Sequence, residues 1–313
     1  MTYEFIIDDE YMGISPKNFL KKKIDLPYNQ IFDYIKNKRI TLNGKKIKTD
    51  MKLKKGDIIK VWLDTIPKKK DLTLAKSNVS PTNLKIPLLY ENSDFLVLNK
   101  LPGIIVQGAG DNEFSLSHHL EFLRRKNKDD SIYFHVHRLD KETSGVLVCS
   151  KNLVSRRDLN AVFKEKDMEK IYICLCKGYF KKSSGKVECK LERSPPNSKE
   201  KVFVSKSSGK YSLSEYKILG EYNLKGEPVS LVQVKIKTGV THQIRVHMKS
   251  LNHPILGDWM YGNIYLNEKF KYLIPRQFLH AKLLSFNYKN KKYSFEADYP
   301  FDLKKVLKLI KAI

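Results

Sequence analysis

The spacing of apolar residues divides the chain near residue 70. Ahead of that point, Ser15-Pro16 reads as a helix N-cap with proline at the first helical position, and predicts a short helix ending about Asp25, before Pro27. Ile31, Tyr34 and Ile35 recur at helical spacing and predict a second helix from about Tyr28. Asn43-Gly44 follows the short run Arg39–Leu42 and predicts a hairpin. Ile58–Leu63 predicts a closing strand. From Asp64 to Pro87 periodicity fades among Pro67, Lys68-Lys69-Lys70, Ser77, Ser80, Pro81 and Pro87, a linker composition. The domain boundaries expected are a small domain over 1–66, a linker over 67–87 and a larger domain over 88–313.

Beyond Leu88, strand-like runs recur at Phe95–Leu98, Val146–Cys149, Ile171–Leu175, Val229–Ile236 and Ile244–Met248. Phe114–Arg125 and Leu153–Phe163 carry helical spacing. Strands dominate without regular strand-helix alternation, so the pattern predicts an α+β fold rather than a doubly wound parallel sheet. No apolar run reaches the roughly 20 residues needed to span a bilayer, and MTYEFIIDDE lacks a signal-peptide pattern.

Charge then narrows the partner. Lysine and arginine number 59 against 34 acids, a formal net charge of +25. That excess exceeds what solubility requires and predicts an extended polyanion, nucleic acid ahead of a membrane surface. Between Tyr11 and Lys70 there are 17 basic and 5 acidic residues. Lys36, Lys38, Arg39, Lys45, Lys46 and Lys48 are the candidate phosphate contacts on this segment. The four cysteines, Cys149, Cys174, Cys176 and Cys189, form no CxxC pair and fit a reducing, cytoplasmic compartment.

Candidate chemistry concentrates in FHVHRLDKETSGVLVCS, residues 134–150. Asp140 follows Arg138 by two residues and leads into an apolar strand through Thr143-Ser144-Gly145. A carboxylate so placed is partly desolvated and needs a cationic or hydrogen-bonding partner to stay ionised. In a cleft it can act as nucleophile or base; the competing reading is an aspartate that caps a turn. His242, His247 and His253 near Asp258 raise a metal site, but no HExxH spacing occurs, and on a strand His242 and His247 would face opposite ways, so no metal is expected. Cys174 and Cys176 alternate within an apolar run and read as buried small hydrophobes.

HRLDKETSG resembles the signature of the RluA-type pseudouridine synthases. Four further stretches agree in order: Asn99-Lys100 with Pro102-Gly103, Lys170-Ile171-Tyr172, THQIRVHMKSLNHPILGDWMYG from Thr241 to Gly262, and Leu279-His280-Ala281. The first domain resembles the RNA-binding domain named after a small-subunit ribosomal protein. Two positions depart from the family pattern: Val240 stands where an arginine is usual, and Leu101 takes a usual proline position.

The resemblance implies a mixed, mainly antiparallel sheet with a central cleft. It implies conversion of RNA uridines to pseudouridine with no cofactor, because no redox change or energy input is involved. It assigns Asp140 as the catalytic aspartate, Arg245 as its ionic partner and Tyr172 as the ring that stacks on uracil. It further implies that Leu283 or Leu284 closes the apolar wall, and that Arg138 fills the stack vacated by a flipped uridine. The attached basic module is similar to those of large-subunit ribosomal RNA enzymes, which makes that RNA the expected partner of a monomeric protein. The alternatives are a synthase acting on transfer RNA, or a non-catalytic assembly factor on the same scaffold.

Overall fold

The structure is a computed structural model that describes residues 2–24, 28–47, 51–62, 86–106, 115–127, 131–164, 168–195, 198 and 200–312. Two units emerge, residues 1–76 and 77–313.

The first unit contains β1 (Thr2–Ile6), α1 (Pro16–Ile24), α2 (Tyr28–Lys36), β2 (Ile40–Leu42), β3 (Lys45–Lys46) and β4 (Ile58–Trp62). The strands form an antiparallel sheet in the order β1-β4-β2-β3. Phe19 and Leu20 of α1 and Ile31 and Ile35 of α2 pack on Ile40, Leu42, Ile59 and Val61. Each such burial stabilises by about 1.5–3 kcal/mol. Asn43 and Gly44 both take positive φ, the backbone a tight two-residue hairpin turn demands, and Ile58 N–H donates to Asn43 Oδ1 at 2.7 Å. Lys36, Lys38, Lys45 and Lys46 are exposed. Arg39 is half-buried with its guanidinium 5.7 Å from the Tyr34 ring centre. Lys48 lies outside the described residues.

The second unit runs β5 (Leu88–Glu91), β6 (Phe95–Lys100), α3 (Leu116–Lys126), β7 (Phe134–His135), β8 (Ser144–Ser150), α4 (Leu153–Val162), β9 (Glu169–Lys177), β10 (Ser184–Arg193), β11 (Val202–Ser205) and β12 (Lys210–Leu224). It continues with β13 (Glu227–Ile236), α5 (Gln243–Ser250), α6 (Ile264–Phe270), β14 (Leu279–Tyr288), β15 (Lys291–Glu296) and α7 (Phe301–Leu309). Eleven strands form one sheet, with the path β11-β10-β12-β13-β9-β14-β8-β6-β5 and β15 and β7 paired at its sides. Among the described strands only β8 and β14 pair in parallel, His280 opposite Ser144 and Ala281 opposite Gly145. The fold class is therefore α+β with a mixed, mainly antiparallel sheet.

Gly145 makes the parallel join possible. Its φ is +119°, and a Cβ there would collide with the Ala281 carbonyl. On one face of the sheet Leu96, Leu98, Leu147 and Ala281 pack under Leu116 and Leu120 of α3. On the other, Phe95, Val97, Val146 and Val148 pack with Leu159 of α4 and with Leu284 and Phe286 of β14.

Three expectations change. Ile244–Met248 is not a strand but part of α5. All six residues from Gln243 to Met248 are buried, so the helix shows no polar stripe that would reveal its 3.6-residue period. His242 and His247 are thus not on opposite strand faces. Secondly, the linker stops short of Pro87. Ile86 is buried in the core beside Leu98 and Ile104, and the Pro87 carbonyl accepts from Asn99 N–H at 2.9 Å. Residues 67–85 lie outside the described residues, as does Phe114. The third change concerns Leu283 and Leu284 and belongs to the site.

Candidate active site

The loop between β7 and β8 carries Asp140 and is fastened from three directions. Lys100, at the end of β6, is fully buried; its ammonium donates to the carbonyls of Leu101 (2.9 Å), Ile104 (3.0 Å) and Lys141 (2.9 Å). Burial pulls the Lys100 pKa down to about 7. Three carbonyl dipoles matched to three N–H donors oppose that pull and favour the charged form. Gly103 N–H donates to the same Lys141 carbonyl, and Arg276 Nη1 donates to the Glu142 carbonyl at 2.8 Å. Gln277 Nε2 donates to Thr143 Oγ1 at 2.9 Å. Arg276 is itself held by Asp302, with Nε to Oδ2 at 2.7 Å.

Arg245 comes from α5. Its Nη1 donates to Asp140 Oδ2 at 3.1 Å. Its Nε and Nη2 form a two-pronged pair with Asp258, at 2.7 and 2.8 Å. Asp258 is fully buried, and Oδ1 also accepts the N–H groups of Met260 and Tyr261, both at 3.0 Å. Burial alone would lower the Arg245 pKa; the Asp258 hydrogen bonds and the two carboxylate charges outweigh it and raise the value. The Tyr261 ring lies 4.9 Å below the guanidinium carbon. Asp140 is thus paired with a cation fixed from behind, while its Oδ1 carries no hydrogen bond among the described residues.

Asp140 and Arg245 line an open cleft of about 550 Å³, mouth included, together with Arg138, Tyr172, Ile236, Val240, His242 and Leu279. Tyr172 sits mid-strand in β9, opposite Val234 of β13 and Ala281 of β14. Burial, reinforced by the Asp140 charge, raises its phenol pKa. Arg138 is exposed. The structure therefore brings Asp140, Arg245, Tyr172 and Arg138 to one cleft.

Leu283 and Leu284 do not line it. The β9–β14 register shifts between Ala281 and Leu283, and Leu284 packs into the cluster around Phe95 and Phe286 on the other face of the sheet. The apolar wall is Ile236, Val240 and Leu279 instead.

Three residues at the site escape motif reading as site residues. Asp258 entered only as a neighbour of histidines in a metal site that was not expected, and its partner is an arginine. His242 and Tyr261 are joined, with Nδ1 2.8 Å from the phenol oxygen. The block GDWMYG contains both Asp258 and Tyr261 and carried the available signal. The remaining histidines serve the scaffold: His137 Nε2 accepts from Val148 N–H at 3.0 Å, and His247 lies between Ser212 and Ser214, 2.9 Å from each hydroxyl. Cys174 and Cys176 share a strand face with sulfurs 3.6 Å apart and are buried. Among the described residues no group of three or more His, Cys, Asp or Glu side chains is arranged to hold a metal ion, and no helix is long and apolar enough to cross a membrane.

The cleft thus sets a paired carboxylate beside a half-buried tyrosine, an apolar wall and an exposed arginine. The family described as RNA pseudouridylate synthase matches residues 94–250, and the chain belongs to that family. It is an RNA pseudouridine synthase, an isomerase of RNA uridines. The chain is 32% identical over 306 residues to the ribosomal large subunit pseudouridine synthase C of Vibrio parahaemolyticus, covering 96% of this chain and 94% of that protein. It is 40% identical over 233 residues to the ribosomal large subunit pseudouridine synthase D of Borreliella burgdorferi, covering 71% and 67%. Among solved structures it is similar to human RNA pseudouridylate synthase domain containing 1, at 26% identity and a TM-score of 0.59, covering 73% of this chain and 96% of that one.

Proposed function

We propose that the chain converts uridines to pseudouridine in large-subunit ribosomal RNA, with Asp140 as the reacting carboxylate. The observation that carries the assignment is the Asp140–Arg245 pair at 3.1 Å, backed by buried Asp258. The target RNA rests on the names of the relatives at 32% and 40% identity.

The reaction breaks the bond from uracil N1 to ribose C1′, turns the base, and forms the bond from C5 to C1′. C5 loses a proton and N1 gains one, so atoms and charge balance without redox change. Each plausible first step, attack on C1′, attack on C6 or removal of the 2′ proton, requires an ionised Asp140 with a free oxygen. Arg245 keeps the carboxylate ionised in the cleft. Tyr172 stacks on the uracil and helps remove the C5 proton. Ile236, Val240 and Leu279 keep the detached base from diffusing away. Arg138 fills the position the flipped nucleotide leaves.

In this reading the first unit, through Lys36, Lys38, Arg39, Lys45, Lys46 and Lys48, adds phosphate contacts away from the flipped base. The protein acts as a monomer in the cytoplasm. Pseudouridine mapping of ribosomal and transfer RNA, in cells with and without the gene, tests the assignment. Loss of sites confined to large-subunit RNA is expected; loss confined to transfer RNA overturns the target. Deleting residues 1–76 should weaken RNA binding and flatten its salt dependence, while short RNAs at high concentration still react. Unchanged affinity would remove the first unit from the account.

A further inference from the structure

We propose that His242 is a positioning residue for Asp140, working through a tautomer that Tyr261 fixes; this rests on Asp140 being the reacting carboxylate. His242 is the N-cap of α5 and holds a left-handed backbone, φ 57° and ψ 17°. That conformation is uncommon for a residue with a Cβ, and it persists where the surroundings impose it. No side-chain capping bond accompanies it, so helix capping does not account for the residue. The left-handed turn instead carries the ring into the cleft, between Tyr261 and Asp140.

The ring's two nitrogens have different neighbours. Nδ1 is 2.8 Å from the Tyr261 oxygen, and Nε2 is 3.8 Å from Asp140 Oδ2. The Tyr261 oxygen already accepts Val202 N–H at 3.1 Å. Its own hydrogen needs an acceptor in this buried setting, and Nδ1 is the one within reach. The neutral imidazole then carries its proton on Nε2, facing the carboxylate. Burial lowers the His242 pKa, which keeps the ring neutral and the tautomer meaningful.

The geometry at the carboxylate gives this arrangement its purpose. Arg245 Nη1 and His242 Nε2 both approach the same oxygen, Oδ2. Two donors on one oxygen fix the rotation of the carboxyl group and leave Oδ1 as the atom that reacts. The separation of 3.8 Å exceeds hydrogen-bond length, and such contacts commonly tighten once substrate fills a site. Arg245 alone, with one bond to Asp140, fixes a distance but not a rotation. His242 supplies the second point.

Three variants test this. His242→Gly suits the left-handed backbone better than histidine does and removes the ring. His242→Gln restores an N–H donor at about the depth of Nε2. Tyr261→Phe keeps the ring under Arg245 and removes the hydroxyl that sets the tautomer. The measurement is single-turnover release of tritium from C5 of uridine-labelled large-subunit RNA transcript at saturating enzyme, beside the Kd for the same RNA and the melting temperature. The expected result is a fall of about 10–100-fold in rate for His242→Gly, the range of one hydrogen bond to a charged group, with Kd within about twofold. His242→Gln should recover most of that rate, and Tyr261→Phe should lie between. A purely structural role predicts the reverse order, because glycine relieves the backbone and glutamine does not. A rate for His242→Gly within about twofold of the parent protein, or glutamine no faster than glycine, overturns the proposal. Asp140→Asn is run alongside: turnover by that variant sinks the assignment of Asp140 itself, whereas an inert Asp140→Asn with an unimpaired His242→Gly sinks only the role of His242.

Discussion

Arg245 has two aspartate partners, and exchanging each for asparagine should separate chemistry from stability. Asp258 Oδ1 accepts three N–H groups, from Arg245 Nη2, Met260 and Tyr261, while Oδ2 accepts Arg245 Nε. In Asp258→Asn the amide oxygen can serve only one of those positions. The better orientation keeps oxygen at Oδ1 and turns the NH2 group toward Arg245 Nε–H, so one charge-assisted bond becomes a donor–donor contact. Such a bond contributes about 1.5–3 kcal/mol, and removing one member of a buried pair costs about 3–5 kcal/mol. Asp140 still compensates the guanidinium, so the expected loss is about 2–4 kcal/mol. At about 2–4 °C per kcal/mol for a unit of this size, the melting temperature should drop by roughly 5–15 °C. Asp140→Asn differs: the residue is part-exposed and makes one bond to Arg245, which an amide oxygen can still accept. Its melting temperature should stay within about 2 °C. Turnover should vanish in Asp140→Asn and fall at least about 100-fold in Asp258→Asn, since an arginine no longer braced from behind misplaces the carboxylate it holds. Thermal unfolding and single-turnover tritium release measure the two halves. An Asp258→Asn protein that melts like its parent would refute the claim that the buried aspartate braces the site.

Other outcomes follow from the same contacts. Gly145→Ala should destabilise the second unit by at least about 3 kcal/mol and lower its soluble yield, because both a left-handed φ and a collision with the Ala281 carbonyl oppose the methyl group; melting of the purified variant checks it. Turnover should continue in chelator without added metal or nucleotide, and restoration by one metal after chelation would reopen the histidine cluster. Tyr172 has its phenol pKa raised by burial and by the Asp140 charge. Above about pH 10 the unfolded chain therefore releases this proton first, and stability should fall as pH rises further; Tyr172→Phe should lessen that fall in urea titrations.

Much of the site was legible because its motifs are local. Asp140 and Tyr172 sit within short runs whose apolar neighbours announce strands, and Arg245 belongs to a contiguous block. What the sequence hid depended on long-range or irregular geometry. Asp258 is separated from Arg245 by 13 positions, and nothing local distinguishes a brace from a metal ligand. Leu284 packs on the face of the sheet away from Ala281, and a run of apolar residues with two buried faces does not say which face lines the cleft. α5 is buried on every side, so its alternating Ile244, Val246 and Met248 mimic a strand. His242 carries no helix-start signature, because a left-handed N-cap is fixed by packing rather than by residue type.

The parallel join between β8 and β14 has a consequence for how the protein comes into being. The loop bearing Asp140 is made early, but Arg276, Gln277 and Ala281, which hold that loop and its strand, are made more than 130 residues later. During synthesis the Asp140 carboxylate therefore exists through more than 130 residues of further elongation without the contacts that hold its loop. A nascent chain that stops before residue 276 has every residue of the Asp140–Arg245–Asp258 trio but lacks the Arg276 and Gln277 contacts to the Asp140 loop. Fastening of the Asp140 loop thus waits for β14 and the residues just before it.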